Sequence, residues 1–459
     1  MIMKQGIFSR IAVLGLPLLF AQIMHYLHQI ADSVMLGRFG DDSFELAAVG
    51  IAGLFTWILN TMLWPLSNGV QAITARRFGK QSEDDKNSKV FTGEALDNGM
   101  LTALAAGVLA LAASIFARPI LSLLIQNTEI LERALEYIGI MRLALIPTGL
   151  FFVMQGFFGA INKTAYVMMS GIFSNVLNIL LNYLFIFGAF GIPPMGIRGA
   201  ALGTVISWAA SAVFLFLLII LRSYAKMYRL FTFRYIKKSL CLDIIKVALP
   251  PGVQNVIALS IFMIYQTIIE DYSVVILAAT HIAFSVFRLN KTLIGGFARG
   301  AGILIGNAFG RNDKKTVWKL MTANAFIAAG IALLVALITA FGRNTIAAFF
   351  TTDPRTIEVA ARALLFFAPF FLIEALGFAF EIVFVANGYG RYVLLSEFST
   401  NIIFIIGATL LARYFFPNNV TLAWLSFGLY QIFHALLMFV GYLRKKWLYA
   451  QVESPAIAG

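Results

Sequence analysis

Two stretches of this 459-residue chain hold side chains whose types and spacing could do chemistry. In the first, His25, His28 and Asp32 recur at steps of three and four, so one helical face would carry two imidazoles and a carboxylate. Asn175, Asn178 and Asn182 repeat that spacing later, and Thr204 follows in the next apolar run. Carboxylate, amide and hydroxyl oxygens can cage a hard monovalent cation, and Asp32, Asn178 and Asn182 would be the core of such a Na+ site. Imidazole titrates nearest physiological pH, so His25 and His28 could instead pass protons to Asp32. Plainer readings stand beside these: an acid reaching for the polar surface, amides and imidazoles bonding between helices. As a transition-metal site the His25, His28 and Asp32 group lacks a fourth ligand. In the second stretch, Arg288, Lys291 and Arg299 share a helical face, and Glu374 and Glu381, seven residues apart, share another. Opposite charges in apolar sequence read as ion pairs between helices. Alternatively they form a charged cavity wall, where the cations would meet an anionic or zwitterionic substrate.

The elements that must carry these groups follow from composition. Hydrophobic residues make up 60% of the chain and charged ones 12%, with mean hydropathy +0.84. A soluble chain carries about twice that charged fraction. Apolar runs of about 20 residues recur throughout, the length a helix needs to cross hydrocarbon. They place spans at 11–36, 46–72, 98–117, 138–160, 165–188, 199–221, 247–269, 275–306, 318–340, 362–386, 391–412 and 420–443. The first run is too long for a signal peptide, contains Pro17 and has no small-residue cleavage site, so it reads as a retained span. Pro17 removes one backbone hydrogen bond and is a candidate hinge.

The net charge of +13 is explained by where the charges fall. Counting residues within two positions of a span end with the adjoining loop, Lys and Arg number 23 in the N-terminus, every second loop and the C-terminus, against eight in the opposite loops and four deeper inside spans. That asymmetry predicts an inner (cell) membrane protein with both termini cytoplasmic, and it removes nucleic acid as a partner. The single Cys241 rules out intrachain disulfides and thiolate clusters. No phosphate-binding loop, HExxH motif or nucleophile elbow occurs, so neither ATP-driven pumping nor hydrolysis is expected.

The halves of the chain resemble each other. Offsetting 45–80 by 231 residues onto 276–311 aligns nine identities, among them Ala48/Ala279, Ile51/Ile282, Gly69/Gly300 and Gly79/Gly310. Leu16-Pro17 and Leu249-Pro250 open the first and seventh spans at nearly the same offset. The expected fold is all-α, about twelve transmembrane helices in two six-helix bundles related by a pseudo-twofold axis along the membrane normal. The bundles would be 1–221 and 247–459, joined by a basic cytoplasmic linker, 222–246. Such an architecture suits a secondary transporter that alternates access to a central cavity.

Three blocks then carry a family resemblance. LPLLFAQIMHYLHQIADSVMLGRFGDDSFELAAVG (Leu16–Gly50), NVLNILLNYLFIFGAFGIPPMGIRGAALGTVIS (Asn175–Ser207) and LAATHI…GNAFGRND (Leu277–Asp313) resemble, in order and spacing, the multidrug and toxic compound extrusion (MATE) transporters. The resemblance implies a non-enzymatic antiporter in which H+ or Na+ entry drives export of a small organic molecule, cationic or amphiphilic. Asp32 would be its first-span coupling acid, with Asn178 and Asn182 at paired polar positions. Some members carry an acid at the position of Asn182. Its loss here, with His25 and His28 outside the family pattern, inclines the reading towards protons. No cofactor is implied; the bilayer and a small-molecule substrate are the partners, and a monomer is expected. Rival readings are a flippase or exporter of an anionic or lipid-linked substrate using the span-eight cations, and a non-transporting receptor or scaffold.

Overall fold

The computed structural model describes residues 6–37, 43–81, 86–123, 125–232 and 235–453. Among these the regular elements are all helical. Helices α1 (Ile7–Gly37), α2 (Ser43–Asn60), α3 (Leu66–Lys80), α4 (Lys86–Ser114), α5 (Ala117–Leu121), α6 (Thr128–Met141), α7 (Leu145–Ala160), α8 (Thr164–Ile186), α9 (Gly196–Leu221) and α10 (Tyr224–Tyr228) make up the first half. The second half has α11 (Lys238–Glu270), α12 (Val274–Gly310), α13 (Lys314–Phe350), α14 (Pro354–Ala386), α15 (Gly390–Thr400), α16 (Thr409–Phe415) and α17 (Val420–Leu443).

Eleven helical segments among the described residues are long and apolar enough to cross a membrane, and Ala48–Asn60 of α2 is a shorter apolar helix, followed by α3. The interruption at 61–65 is a departure from the single run expected over 46–72. Pro65 has no N–H to continue the helix and disfavours helical geometry at Trp64, so the chain turns and restarts at Leu66. Between α15 and α16 the backbone winds as a π-helix over Asn401–Ala408, a rare geometry that tends to mark functional positions. Several helices extend beyond the apolar runs: α4 begins at Lys86 rather than 98, and α13 ends at Phe350 rather than 340. Hydrophobicity marks only the part that meets hydrocarbon, whereas helix caps such as Asp313 and Asp353 mark where the helix starts.

The chain forms two compact units. One comprises Met1–Leu19, Val253–Ala308 and Asn312–Gln451; the other comprises Phe20–Gly252, Phe309–Arg311 and Val452–Gly459. Both proline landmarks fall where a continuous helix passes from one unit to the other. Helix α1 changes unit after Leu19, close to Pro17, and α11 changes after Gly252, next to Pro250 and Pro251.

Lipid tails are as apolar as leucine, so the units cohere by close packing rather than by burial from water. In the first unit an aromatic cluster joins α12, α14 and α17, with Phe287 and Phe371 at 4.5 Å and Phe284 and Phe427 at 4.6 Å. The start of α1 lies on α12 through glycines: a Cβ at Gly296 would sit 2.5 Å from Leu19 Cβ, and one at Gly300 2.8 Å from the Gly15 nitrogen. In the second unit α8 and α9 meet in the same way at Gly199 and Gly203. The basic segment after α9 packs as structure. Tyr224 and Tyr228 are buried, Asn98 of α4 donates to Tyr235 O (2.9 Å) and accepts from Lys237 N (2.7 Å), and Lys237 pairs with Glu94 at 3.0 Å.

Candidate functional site

In the second unit, α1, α8 and α9 bring Asp32, Asn178, Asn182 and Thr204 together. The Asn182 side-chain amide donates to Asp32 Oδ1, and the Thr204 hydroxyl donates to Asp32 Oδ2 at 3.2 Å. Asn178 donates to Thr204 Oγ1 (3.3 Å) and lies 3.4–3.5 Å from Asn182 in reciprocal amide contacts. Asn178, Asn182 and Thr204 are buried, and the Asp32 side chain is 14% exposed. His28 Nε2 stands 3.8 Å from Asp32 Oδ2, and it has no hydrogen-bond partner among the described residues. His28 and His25 both lie against the Trp208 ring, at 6.0 and 5.6 Å between centroids. Asn175 is occupied elsewhere, donating to Met24 O at 2.7 Å. The arrangement is a carboxylate held by donors. Asn182 turns its nitrogen, rather than its oxygen, towards Asp32.

In the first unit a separate set of ionisable groups is buried around α14. Gln254 of α11 donates through one nitrogen to Glu381 Oε1 (2.6 Å) and to Glu397 Oε2 of α15. The other Glu381 oxygen lies 3.4 Å from His434 Nε2 of α17, whose ring stacks on Tyr430 at 5.8 Å. One turn or two away, Glu374 accepts from Asn290 Nδ2 at 3.0 Å and lies 3.9 Å from Lys291 Nζ. The Lys291 ammonium also sits 5.2 Å from the Phe378 ring centroid.

The family model described as MatE matches residues 17–184 and 250–410. The chain belongs to the MatE family. It is a multi-pass membrane transporter, and the family is a transporter class rather than an enzyme class. Relatives include the probable multidrug resistance protein NorM of Agrobacterium fabrum, 29% identical over 355 residues, 77% of this chain and 74% of its own. NorM of Bacillus subtilis is 25% identical over 361 residues, 78% of each chain. The fold is shared with a MOP superfamily transporter from Pyrococcus furiosus, at TM-score 0.86 and 19% identity over 98% of both chains. It is shared equally with a MATE protein crystallised in the bent conformation, at TM-score 0.85 and 18% identity over 98% of this chain and 97% of that one.

Within this MatE fold the sequence-derived candidates separate. Asp32, Asn178, Asn182 and Thr204 converge with His28 beside them; His25 joins through Trp208, and Asn175 ties α8 to α1. Of the second-half charges, Lys291 and Glu374 come within 3.9 Å of each other as an ion pair between α12 and α14. Glu381 turns to Gln254 and His434 instead. Arg299 is half-buried on α12. Arg288 is exposed, and no hydrogen bond or ion pair reaches its guanidinium among the described residues. Gln254, Asn290, Glu397 and His434 escaped the sequence reading as site residues. Their only signal was a polar type inside an apolar run, which does not say which helices are neighbours.

Proposed function

We propose that this chain is a cation-coupled multidrug-type exporter, in which ion uptake at Asp32 drives outward movement of a small organic molecule through alternating access. The observation that carries it is the Asp32 carboxylate, nearly buried at the meeting of α1, α8 and α9 and held by the amide of Asn182 and the hydroxyl of Thr204. An ionised Asp32 accepts from both donors. A proton on either oxygen converts an acceptor into a donor, so an O–H would face an N–H or O–H and one partner must turn. Rotating the Asn182 amide brings its oxygen to the carboxyl, but breaks its reciprocal contacts with Asn178. Protonating Oδ2 needs only the Thr204 hydroxyl to turn its hydrogen, whereas protonating Oδ1 trades away the Asn182–Asn178 contacts; through Asn182 the proton favours a different arrangement of α1 against α8, which is the differential free energy that coupling needs. His28, with a buried nitrogen facing Asp32, is the group placed to deliver the proton. Sodium would need both amide oxygens turned to the carboxylate, so the donor arrangement supports protons as the coupling ion.

NorM relatives are named for multidrug resistance, which supports small organic substrates here. A second reading concerns their charge. The P. furiosus transporter that shares the fold is described as having a binding pocket of reverse polarity and a different function. On this chain Glu374, Glu381 and Glu397 are shielded while Arg288 stands exposed, which favours anionic over cationic cargo. The test uses proteoliposomes with an imposed H+ or Na+ gradient and one cationic and one anionic dye. Export should follow the proton gradient and be lost in Asp32→Asn protein that still elutes as a folded species. Undiminished export by Asp32→Asn would remove the site from the mechanism.

A further inference from the structure

The basic stretch between α9 and α11, wholly within the second unit, is a folded element with a cationic outer face. Six basic residues and no acid occur between Arg222 and Leu242. Runs of like charge are commonly solvated loops or tails. Here the run winds as α10 and is seated on the helix ends beneath it. Tyr224 and Tyr228, one turn apart, are buried. The Tyr224 ring meets Phe158 at 5.7 Å and Tyr166 at 6.4 Å, and the Tyr228 ring meets Phe157 at 5.5 Å. Helix α4 comes so close at Gly93 that a Cβ there would collide with Tyr228 O and the Leu230 side chain. Asp97 of α4 accepts from Phe231 N at 2.9 Å. Ser223, Arg229 and Phe231 hold left-handed backbone, at φ 58°, 48° and 62°, a region that residues with a Cβ disfavour.

Both ends of this element lie at the edge of the hydrocarbon. Helix α9 finishes with exposed Leu217, Ile220 and Leu221, and Arg222 follows at once. Helix α11 opens on Lys238 and shows its first exposed apolar side chains at Leu242 and Ile245. Phe231 turns back onto Phe216 of α9, at 5.2 Å between ring centroids, so the chain after α10 lies against the apolar end of α9. The face of α10 opposite the tyrosines is cationic, with Lys226 about 180° round the helix from their midpoint. Arg222, Lys226 and Arg229 are exposed, and no hydrogen bond or ion pair reaches their side chains among the described residues. The acids close by are engaged elsewhere: Glu94 with Lys237 and Arg77, Asp97 with the Phe231 N–H, and Asp243 with Lys246 at 3.2 Å.

We infer that α10 and its flanking turns are a docking surface for anionic phospholipid headgroups, with Arg222, Lys226 and Arg229 binding the phosphate. Charge selects the ligand, since three exposed cations with no acid between them in sequence favour an anion. Place selects its source. A phosphodiester carried on acyl chains is held at the depth of Arg222, where its tails meet Leu217, Ile220 and Leu221. Arginine gives the phosphate a charge-assisted, two-pronged contact, and lysine gives it a point charge. Because the tyrosines and α4 fix the backbone, the cations are presented without a loop having to be ordered first. Asp32 meets α9 at Thr204, about 27 Å along the helix from Arg222, so the surface is independent of the coupling site.

The test titrates full-length protein in detergent with dioctanoyl phosphatidylglycerol, dioctanoyl phosphatidylcholine or inorganic phosphate, and counts bound molecules by native mass spectrometry. Phosphatidylglycerol should bind more tightly than phosphatidylcholine. One basic residue at a membrane surface contributes about five-fold towards an anionic lipid, so Arg222→Gln and Lys226→Gln should each weaken phosphatidylglycerol by that factor. Phosphatidylcholine binding and the melting temperature should not move, and Lys226→Arg should bind as the parent does. Lys226 points away from the protein, so its variants test the surface even if Arg222→Gln unsettles the end of α9. Arg311, Lys315 and Lys319 are an exposed basic set at the start of α13, and replacing all three by Gln should leave the affinity unchanged. An equal loss in that control would make the effect one of net charge and overturn the surface. Equal binding of the two lipids, or binding indifferent to Lys226→Gln, would overturn it as well. Inorganic phosphate bound as tightly as the lipid would make this a site for soluble anions and overturn the lipid assignment.

Discussion

At the scale of single residues, the Asp32 site depends as much on a missing side chain as on those present. Gly203 lies on α9 one residue before Thr204, and a Cβ there would stand 2.3 Å from Asn182 Oδ1. No real contact is that short, so Gly203→Ala must push Asn182 away from Asp32 or part α9 from α8. Overpacking of this kind costs about 1–3 kcal/mol. Gly203→Ala should therefore impair gradient-driven export strongly while lowering thermal stability only modestly. Wild-type transport by Gly203→Ala protein would show that Asn182 need not hold its place. Ala201, buried two positions earlier on the same helix, is already a Cβ-bearing residue and marks the contrast.

At the scale of elements, the buried acids around α14 show how helices are tied where water is absent. One Gln254 nitrogen reaches two carboxylates from two different helices, so α11, α14 and α15 share a single donor. Gln254→Leu would leave Glu381 and Glu397 facing each other with that donor gone. Loss of a hydrogen bond to buried charged groups costs about 1.5–3 kcal/mol, and Gln254→Leu should destabilise the purified protein by that amount in detergent unfolding. Gln254→Glu should be worse, since it adds a third carboxylate to the same space. If Gln254→Leu melts with the parent, the amide is not what holds these helices. The π-helix follows directly on α15, and Asn401 at its start donates to Glu397 O at 2.8 Å, so the unusual backbone and the acid cluster belong to one locality.

At the scale of the whole molecule, the end of the chain returns to the unit built by the first spans. Arg77 of α3 is 1% exposed and is gripped by Glu453 through Nε and Nη2, both at 3.0 Å. Glu94 lies 3.4 Å away, Phe91 O accepts from Nη1, and the Phe91 ring covers the guanidinium at 3.7 Å. Removing one partner of a buried pair is costly because a bare charge remains. Here Glu94 and the carbonyl stay behind, so Glu453→Ala should cost about 1.5–3 kcal/mol although Glu453 lies outside every span. A double-mutant cycle with Arg77→Ala checks it: additive losses would mean that the pair contributes nothing of its own.

Read from the sequence alone, the spans and their approximate number were legible, because hydrocarbon imposes a length and a polarity on each segment separately. The polar stripe of Asp32 and His28, and that of Asn178 and Asn182, were legible for a similar reason: helical period puts them on one face before any partner is known. The spans' apolar cores were readable, but the break at Pro65 and the extension of α13 to Phe350 were not, since backbone ends follow caps and prolines more than hydropathy. Tertiary structure alone decided which faces meet. Glu381 could have paired with Arg288 by charge, yet α11 and α17 are its neighbours and bring Gln254 and His434. Asn182 could have offered an oxygen to Asp32, yet its place beside Thr204 and Asn178 turns its nitrogen there. Arg288 could have been buried, yet α14 engages Lys291 and leaves Arg288 exposed on α12. Helical periodicity specifies the direction of a side chain around its own axis, and only packing specifies what stands in that direction.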